Sequence, residues 1–208
     1  MQPDFAPVYL PLYYLPNAEY LSAIASVSTV CVEQFENYQK RSFRNRCFIG
    51  TAQGALQLSI PLQSGKNEQQ AIREVKIDNS QLWQRQHWRS IATAYRSAPF
   101  WEHYADSLQP FFAKKYDFLW DWNVEMLGWL LEKLKIKTQI CFTNGYNPAK
   151  AAFDSHLKNY QTHSYEQFQT PIYTQLFSDR QAFLPNLSGL DAFFCMGNQT
   201  AAYLKSCR

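Results

Sequence analysis

Glycine is scarce, with seven residues in 208. The chain has no G-x-x-x-x-G-K-[ST] loop and no G-x-G-x-x-G fingerprint, which excludes the usual backbone cradles for nucleotide phosphates. There is also no G-x-S-x-G nucleophile elbow and no H-E-x-x-H zinc helix. The four histidines, at 87, 103, 156 and 163, do not pair with cysteine at zinc-ligand spacing, so no metal and no cofactor is expected. No sign of charge dominates: 20 basic against 17 acidic residues leave +3, too little to imply a nucleic-acid partner. No apolar run reaches the ~18 residues a membrane span needs. Met1 to Leu15 lacks a basic start and is broken by Pro3, Pro7 and Pro11, a poor signal peptide. The five cysteines are odd in number and widely spaced, which fits reduced thiols in a cytoplasmic protein.

What is abundant is aromatic. Six Trp, thirteen Tyr and fifteen Phe make up 16% of the chain. With 46% hydrophobic residues the chain is globular, and its length fits one domain over 1–208. The question is whether the aromatics are core or a binding surface.

Periodicity predicts an α/β fold: a mixed sheet of about five to six strands, flanking helices and a helical C-terminal extension. Pro7 to Leu15 reads as a strand, a helix follows the capping Asn17, and Val30 to Gln34 reads as a second strand. That strand–helix–strand opening is the mark of a parallel pair. Cys47 to Gly50 and Leu56 to Leu62 predict a hairpin around Ala52-Gln53-Gly54. Ile72, Val75 and Ile77 suggest a further extended piece. Asp78-Asn79-Ser80 offers caps for a helix reaching Tyr95, and Pro99 breaks it. Short helix 100–108 and long helix 116–134 follow, the latter striped by Leu119, Trp122, Met126, Leu127, Leu130 and Leu131. Thr138 to Thr143 reads as a strand. From Asn144 to Gln169 the chain is polar and irregular. Ser188-Gly-Leu-Asp191 matches a capping box for a final helix.

Four segments carry candidate chemistry. If Asn37 to Arg46 is extended, Lys40, Ser42, Arg44 and Arg46 share one side, and such cations grip phosphate or carboxylate. A solvated, charged strand edge is the plainer alternative. On a helix, Trp83, His87 and Ser90 share a face, and a histidine there can shuttle protons. The junction Thr93 to Tyr104 brings Tyr95, Arg96, Glu102 and Tyr104 to a possible pocket, with Phe100 and Trp101 as wall or as core. A fourth, around Phe183 to Asp191, is most simply helix capping.

Taken together, Tyr13 to Leu21, Glu36 to Cys47, Ile77 to Ser80, His87 to Ile91, Thr93 to Phe100 and Phe183 to Phe194 resemble the WbqC-like proteins over nearly the whole chain. That family takes its name from a protein encoded among O-antigen biosynthesis genes. The resemblance implies a cytoplasmic role in making or decorating surface-polysaccharide sugars. The expectation is a transferase acting on an anionic small molecule, a nucleotide-sugar or acyl donor. Lys40, Arg44 and Arg46 would hold its charge, and Asn37, Gln39 and Asn45 would orient it. Asn79, Tyr38, Trp88 and Tyr95 would complete the binding set. His87 would act as general base, with Glu102 as its substitute. A non-catalytic module for a polysaccharide precursor or a protein partner is the alternative, and single-strand nucleic-acid binding ranks last.

Overall fold

A computed structural model describes residues 8–63, 70–146 and 170–207. Strand β1 (Val8–Leu10), helix α1 (Ala18–Ala25) and strand β2 (Thr29–Val32) form the expected parallel unit, in register Val8↔Val30 and Leu10↔Val32. β1 is shorter than predicted. Pro11 and Pro16 follow it, and proline has no N–H to offer a ladder. Asn17 caps α1 by accepting the Tyr20 N–H at 3.0 Å.

Strand β3 (Arg46–Thr51) returns antiparallel as β4 (Gly54–Ser59), turning through Ala52-Gln53 with Gly54 at φ +108°. Strand β5 (Gln139–Phe142) pairs in parallel with the other side of β2. The fold is α/β, with five strands among the described residues and both pairing senses, divided into a three-stranded parallel sheet of order β1-β2-β5 and the β3–β4 hairpin.

The helices are α2 (Trp83–Tyr95), α3 (Trp101–Leu108), α4 (Pro110–Ala113) and α5 (Leu119–Lys133), then α6 (Gly189–Met196) and α7 (Thr200–Ser206) as the C-terminal extension. α2 starts later than predicted. The Asp78 carboxylate accepts from the Ser80 N–H and from Gln81, both at 3.0 Å, so this segment is spent on its own turn. The piece from Ile72 to Ile77 is extended only at its end, where Lys76 and Ile77 make isolated bridges to Phe118 and Leu62. A 3₁₀ turn at Ile72–Glu74 is tied to the Glu36 carbonyl, while Val75 accepts from Leu119 N–H. Gly197 ends α6 at φ +56°, with the Phe100 ring packed where a Cβ would lie.

Most of the aromatics among the described residues are core. Tyr14, Trp83 and Trp122 are at most 2% exposed and meet ring to ring, Tyr14–Trp122 at 4.7 Å and Trp83–Trp122 at 6.3 Å. α5 buries the predicted stripe, and each such large apolar side chain contributes roughly 1.5–3 kcal/mol. One expectation is corrected at the cysteines: Cys31 and Cys141 are disulfide-bonded, while Cys47, Cys195 and Cys207 are free. Of the polar stretch beginning at Asn144, positions 147–169 lie outside the described residues. No described helix is long and apolar enough to cross a membrane.

Candidate functional site

The basic segment is a turn, not an extended strand. Arg41 adopts φ +57° and the chain reverses there, so the alternation that would align three cations is lost. Arg44 is 2% exposed and lies against Glu36, Nε to Oε1 at 2.7 Å with a second contact between Nη2 and Oε2. Its Nη1 also reaches Gln39 Oε1 at 3.4 Å. Tyr38 donates to Asn45 Oδ1 at 2.9 Å, and Asn45 Nδ2 donates to the Ile60 carbonyl at 2.8 Å. Asn123 closes the turn from α5 through the Arg44 carbonyl, and Asn37 bridges to Ala71. Gln39 and Lys40 are exposed at the tip, and Arg46 is half-buried opposite Ser59. The structure thus spends Arg44, Asn45 and Tyr38 on holding this turn together.

His87 faces the core. Its Nδ1 is hydrogen-bonded to the Tyr14 hydroxyl at 2.6 Å, and Trp83 packs edge-on at 5.2 Å. Burial pulls its pKa down to about 4, so the imidazole is neutral and weakly basic. Glu102 is exposed in the first turn of α3, and no described contact joins it to His87. Trp88 stacks on Trp101 at 5.5 Å and on Phe112 at 5.9 Å, so its face is covered. Asn79 donates to the Tyr116 carbonyl at 2.8 Å.

Tyr95 leads to a cluster that the sequence reading missed. Its hydroxyl accepts from Gly50 N–H at 3.0 Å and donates to Asp191 Oδ1 at 2.9 Å. Tyr173 and Gln175 donate to Asp191 Oδ2 at 2.5 and 3.0 Å. Gln175 also bonds both backbone groups of Leu184. Burial raises the Asp191 pKa against the lowering effect of these donors, and both tyrosine hydroxyls are pushed up by burial and then by the Asp191 charge. Gly50 belongs here because a Cβ would lie 2.9 Å from Asp191 Oδ1. The capping box is therefore half right. Ser188 accepts from Leu190 N–H, but Asp191 turns inward.

Outside this cluster lies a groove of about 530 Å³. One wall is the hairpin end, with Thr51, Gln53 and Leu56. The other is α2, where Arg89, Ser90, Thr93 and Ala94 fall on one helical face. Phe177 covers part of it, and Gln181 Nε2 ties that C-terminal segment to the Thr51 carbonyl at 2.9 Å. Arg89 is the charged residue of the lining, is exposed and has no carboxylate partner among the described residues. Beside it on α2 stand the Ser90 and Thr93 hydroxyls, and opposite lie Thr51, Gln53 and the apolar Ala55 and Leu56. A guanidinium flanked by hydroxyls is chemistry that can meet an anion. No group of three or more His, Cys, Asp or Glu among the described residues could hold a metal.

The model of the WbqC-like protein family matches residues 12–163. The chain belongs to the WbqC-like family. It is 27% identical to Uncharacterized protein Rv1507c of Mycobacterium tuberculosis, over 94% of this chain and 95% of that one. No solved structure matches it. The WbqC-like match includes the 37–46 turn and both walls of the groove, whereas Tyr173, Phe177 and Asp191 lie beyond it. Arg89 was within sight, since His87-Trp-Arg-Ser-Ile91 carries part of the WbqC-like resemblance. Its helical phase, one turn before Thr93 and on the side of α2 away from the buried His87 and Ile91, is the signal that it faces outward.

Proposed function

We propose that this WbqC-like protein is a cytoplasmic transferase of surface-polysaccharide synthesis that holds a phosphate- or carboxylate-bearing donor in the groove between α2 and the hairpin. The observation that supports this reading is Arg89, an exposed guanidinium facing a groove whose lining has no carboxylate among the described residues. An anion there meets one cation and the Ser90 and Thr93 hydroxyls, and displaces no internal partner. The polysaccharide context comes from the family resemblance. Thermal melting in the presence of nucleotide-sugars, acetyl-coenzyme A and inorganic pyrophosphate tests it. A ligand that binds only the native state raises the melting point, by about 2.7 kcal/mol of stability at a hundredfold excess over Kd. Arg89→Ala should abolish the rise. If no probe raises the wild-type melting point, or if the variant responds equally, the reading is wrong.

A second reading, a non-catalytic binding module, is favoured by one feature: among the described residues no His, Cys, Asp or Glu lines the groove. The two part on turnover. A bound donor that is consumed, followed by mass spectrometry, means a transferase, and a donor recovered intact means a module.

A further inference from the structure

The three parallel strands finish at one edge of their sheet, where a second cavity of about 400 Å³ opens. In α/β sheets, ligands characteristically approach such carboxyl ends. Tyr9 of β1, Cys31 of β2 and the run Phe142 to Tyr146 after β5 line it. Cys31 and Cys141 stand directly opposite one another across the β2–β5 pairing, Cα atoms 4.5 Å apart and sulfurs bonded. Val30 and Val32 point into the core and are fully buried, so the alternation of a strand sends Cys31 to the half-exposed face.

We propose that Cys31 and Cys141 form a reversible dithiol–disulfide switch at this cavity, opened by a small or protein dithiol. A donor thiolate attacks one sulfur of the Cys31–Cys141 bond and gives a mixed disulfide. The donor's second thiol resolves it. Two electrons and two protons pass to Cys31 and Cys141, which become thiols, and the donor leaves as its own disulfide.

Three observations converge. First, neighbouring strands lie about 4.8 Å apart by virtue of their hydrogen bonds, a spacing that a disulfide also spans. Strand pairing therefore holds the two cysteines in place in either redox state, and opening the bond requires no refolding. Second, the pair is reachable, since both residues are half-buried and Cys31 lines the cavity. The other thiols are poor competitors for exchange: burial raises the pKa of Cys47 and Cys207 and pushes Cys195 up to about 12. Third, the bond joins parts of one small structure. β5 lies at an end of its sheet, and its continuation is the cavity wall. That wall is held to β2 by Thr143, which donates to Glu33 Oε1 at 2.9 Å and accepts from Gln34 Nε2 at 2.6 Å. The disulfide adds a covalent tie across 110 residues of sequence just before these bonds. In a reducing compartment a disulfide of this kind acts as a sensor.

The test uses the full chain with no ligand, so its result is independent of the groove. Protein purified without reductant is denatured, alkylated with iodoacetamide and weighed. Three adducts are expected, and five after prior incubation of the native protein with dithiothreitol. Reduction should lower the melting temperature by about 5–10 °C. The double variant Cys31→Ser, Cys141→Ser should melt at the reduced temperature with or without dithiothreitol. Five adducts without reductant, three after native reduction, a bond mapped to other cysteines, or a melting temperature indifferent to dithiothreitol would each overturn the switch.

Discussion

Arg44 and Arg89 are the same side chain in opposite circumstances. Arg44 is 2% exposed and clasped by Glu36, and its charge is neutralised inside the fold. Arg89 is exposed beside a groove with no carboxylate among its described lining residues. By charge density, the richer stretch of sequence is the one around Arg44. Density says nothing about availability. A buried cation must have a partner, since an isolated charge in a low dielectric is prohibitively costly. A cation open to water needs none, and it is the one free to meet a ligand.

The contrast breaks most visibly at Arg44. Arg44→Ala leaves the Glu36 carboxylate buried without its cation and should cost about 3–5 kcal/mol in urea unfolding. Replacing both partners, Arg44→Met with Glu36→Leu, should recover most of that loss, because an apolar pair carries no desolvation cost. A single variant as stable as wild type would mean that water reaches Glu36 and that Arg44 is not committed to the fold.

Asp191 is the next test, an anion held as firmly as Arg44. Its two oxygens accept from three side-chain donors. Asp191→Asn replaces an acceptor with an NH₂ that opposes either Tyr95 or the Tyr173–Gln175 pair. The expected loss is about 3 kcal/mol, the cost of a buried donor left unsatisfied together with a weakened charge-assisted bond. An unchanged denaturation midpoint would show that the cluster is not what fixes α6 to the hairpin.

How far the sequence led follows the same division. Local patterns were readable: the β1–α1–β2 unit, the hairpin at Ala52-Gln53 and the stripe of α5 each depend on spacing within a few residues. The pairs that decide the site do not. Arg44 finds Glu36 only because the chain reverses at Arg41, and Asp191 meets Tyr95 across 96 residues. Capping residues misled for a related reason. Asp78 bonds its own turn and Asp191 bonds distant side chains, although each occupies a position from which it could cap a helix. The WbqC-like resemblance was legible because it rests on ordered short segments, not on where their side chains point.

His87 is expected to report acid instability. Its pKa falls from 6.5 to about 4 on folding, so the unfolded chain binds more protons between those values and stability declines as pH falls through that window. By pH 5 the loss should reach about 2 kcal/mol relative to pH 7. His87→Gln can keep the bond to Tyr14 without titrating, and should flatten this part of the pH–stability curve. A curve just as steep in the variant would assign the acid sensitivity elsewhere.

The smallest expected change in stability is the most informative about function. Arg89→Ala removes no internal ion pair and no core contact, so its unfolding free energy should stay within about 0.5 kcal/mol of wild type. The same variant should lose the ligand-induced rise in melting temperature, and Arg89→Lys should restore only part of it, since an ammonium supplies the charge without the two-pronged geometry. Arg44→Ala should do the reverse, costing stability while the remaining folded protein still responds to ligand. Loss of stability at Arg89, or loss of response at Arg44 in protein that is still folded, would reverse the two assignments and return the anion site to the turn.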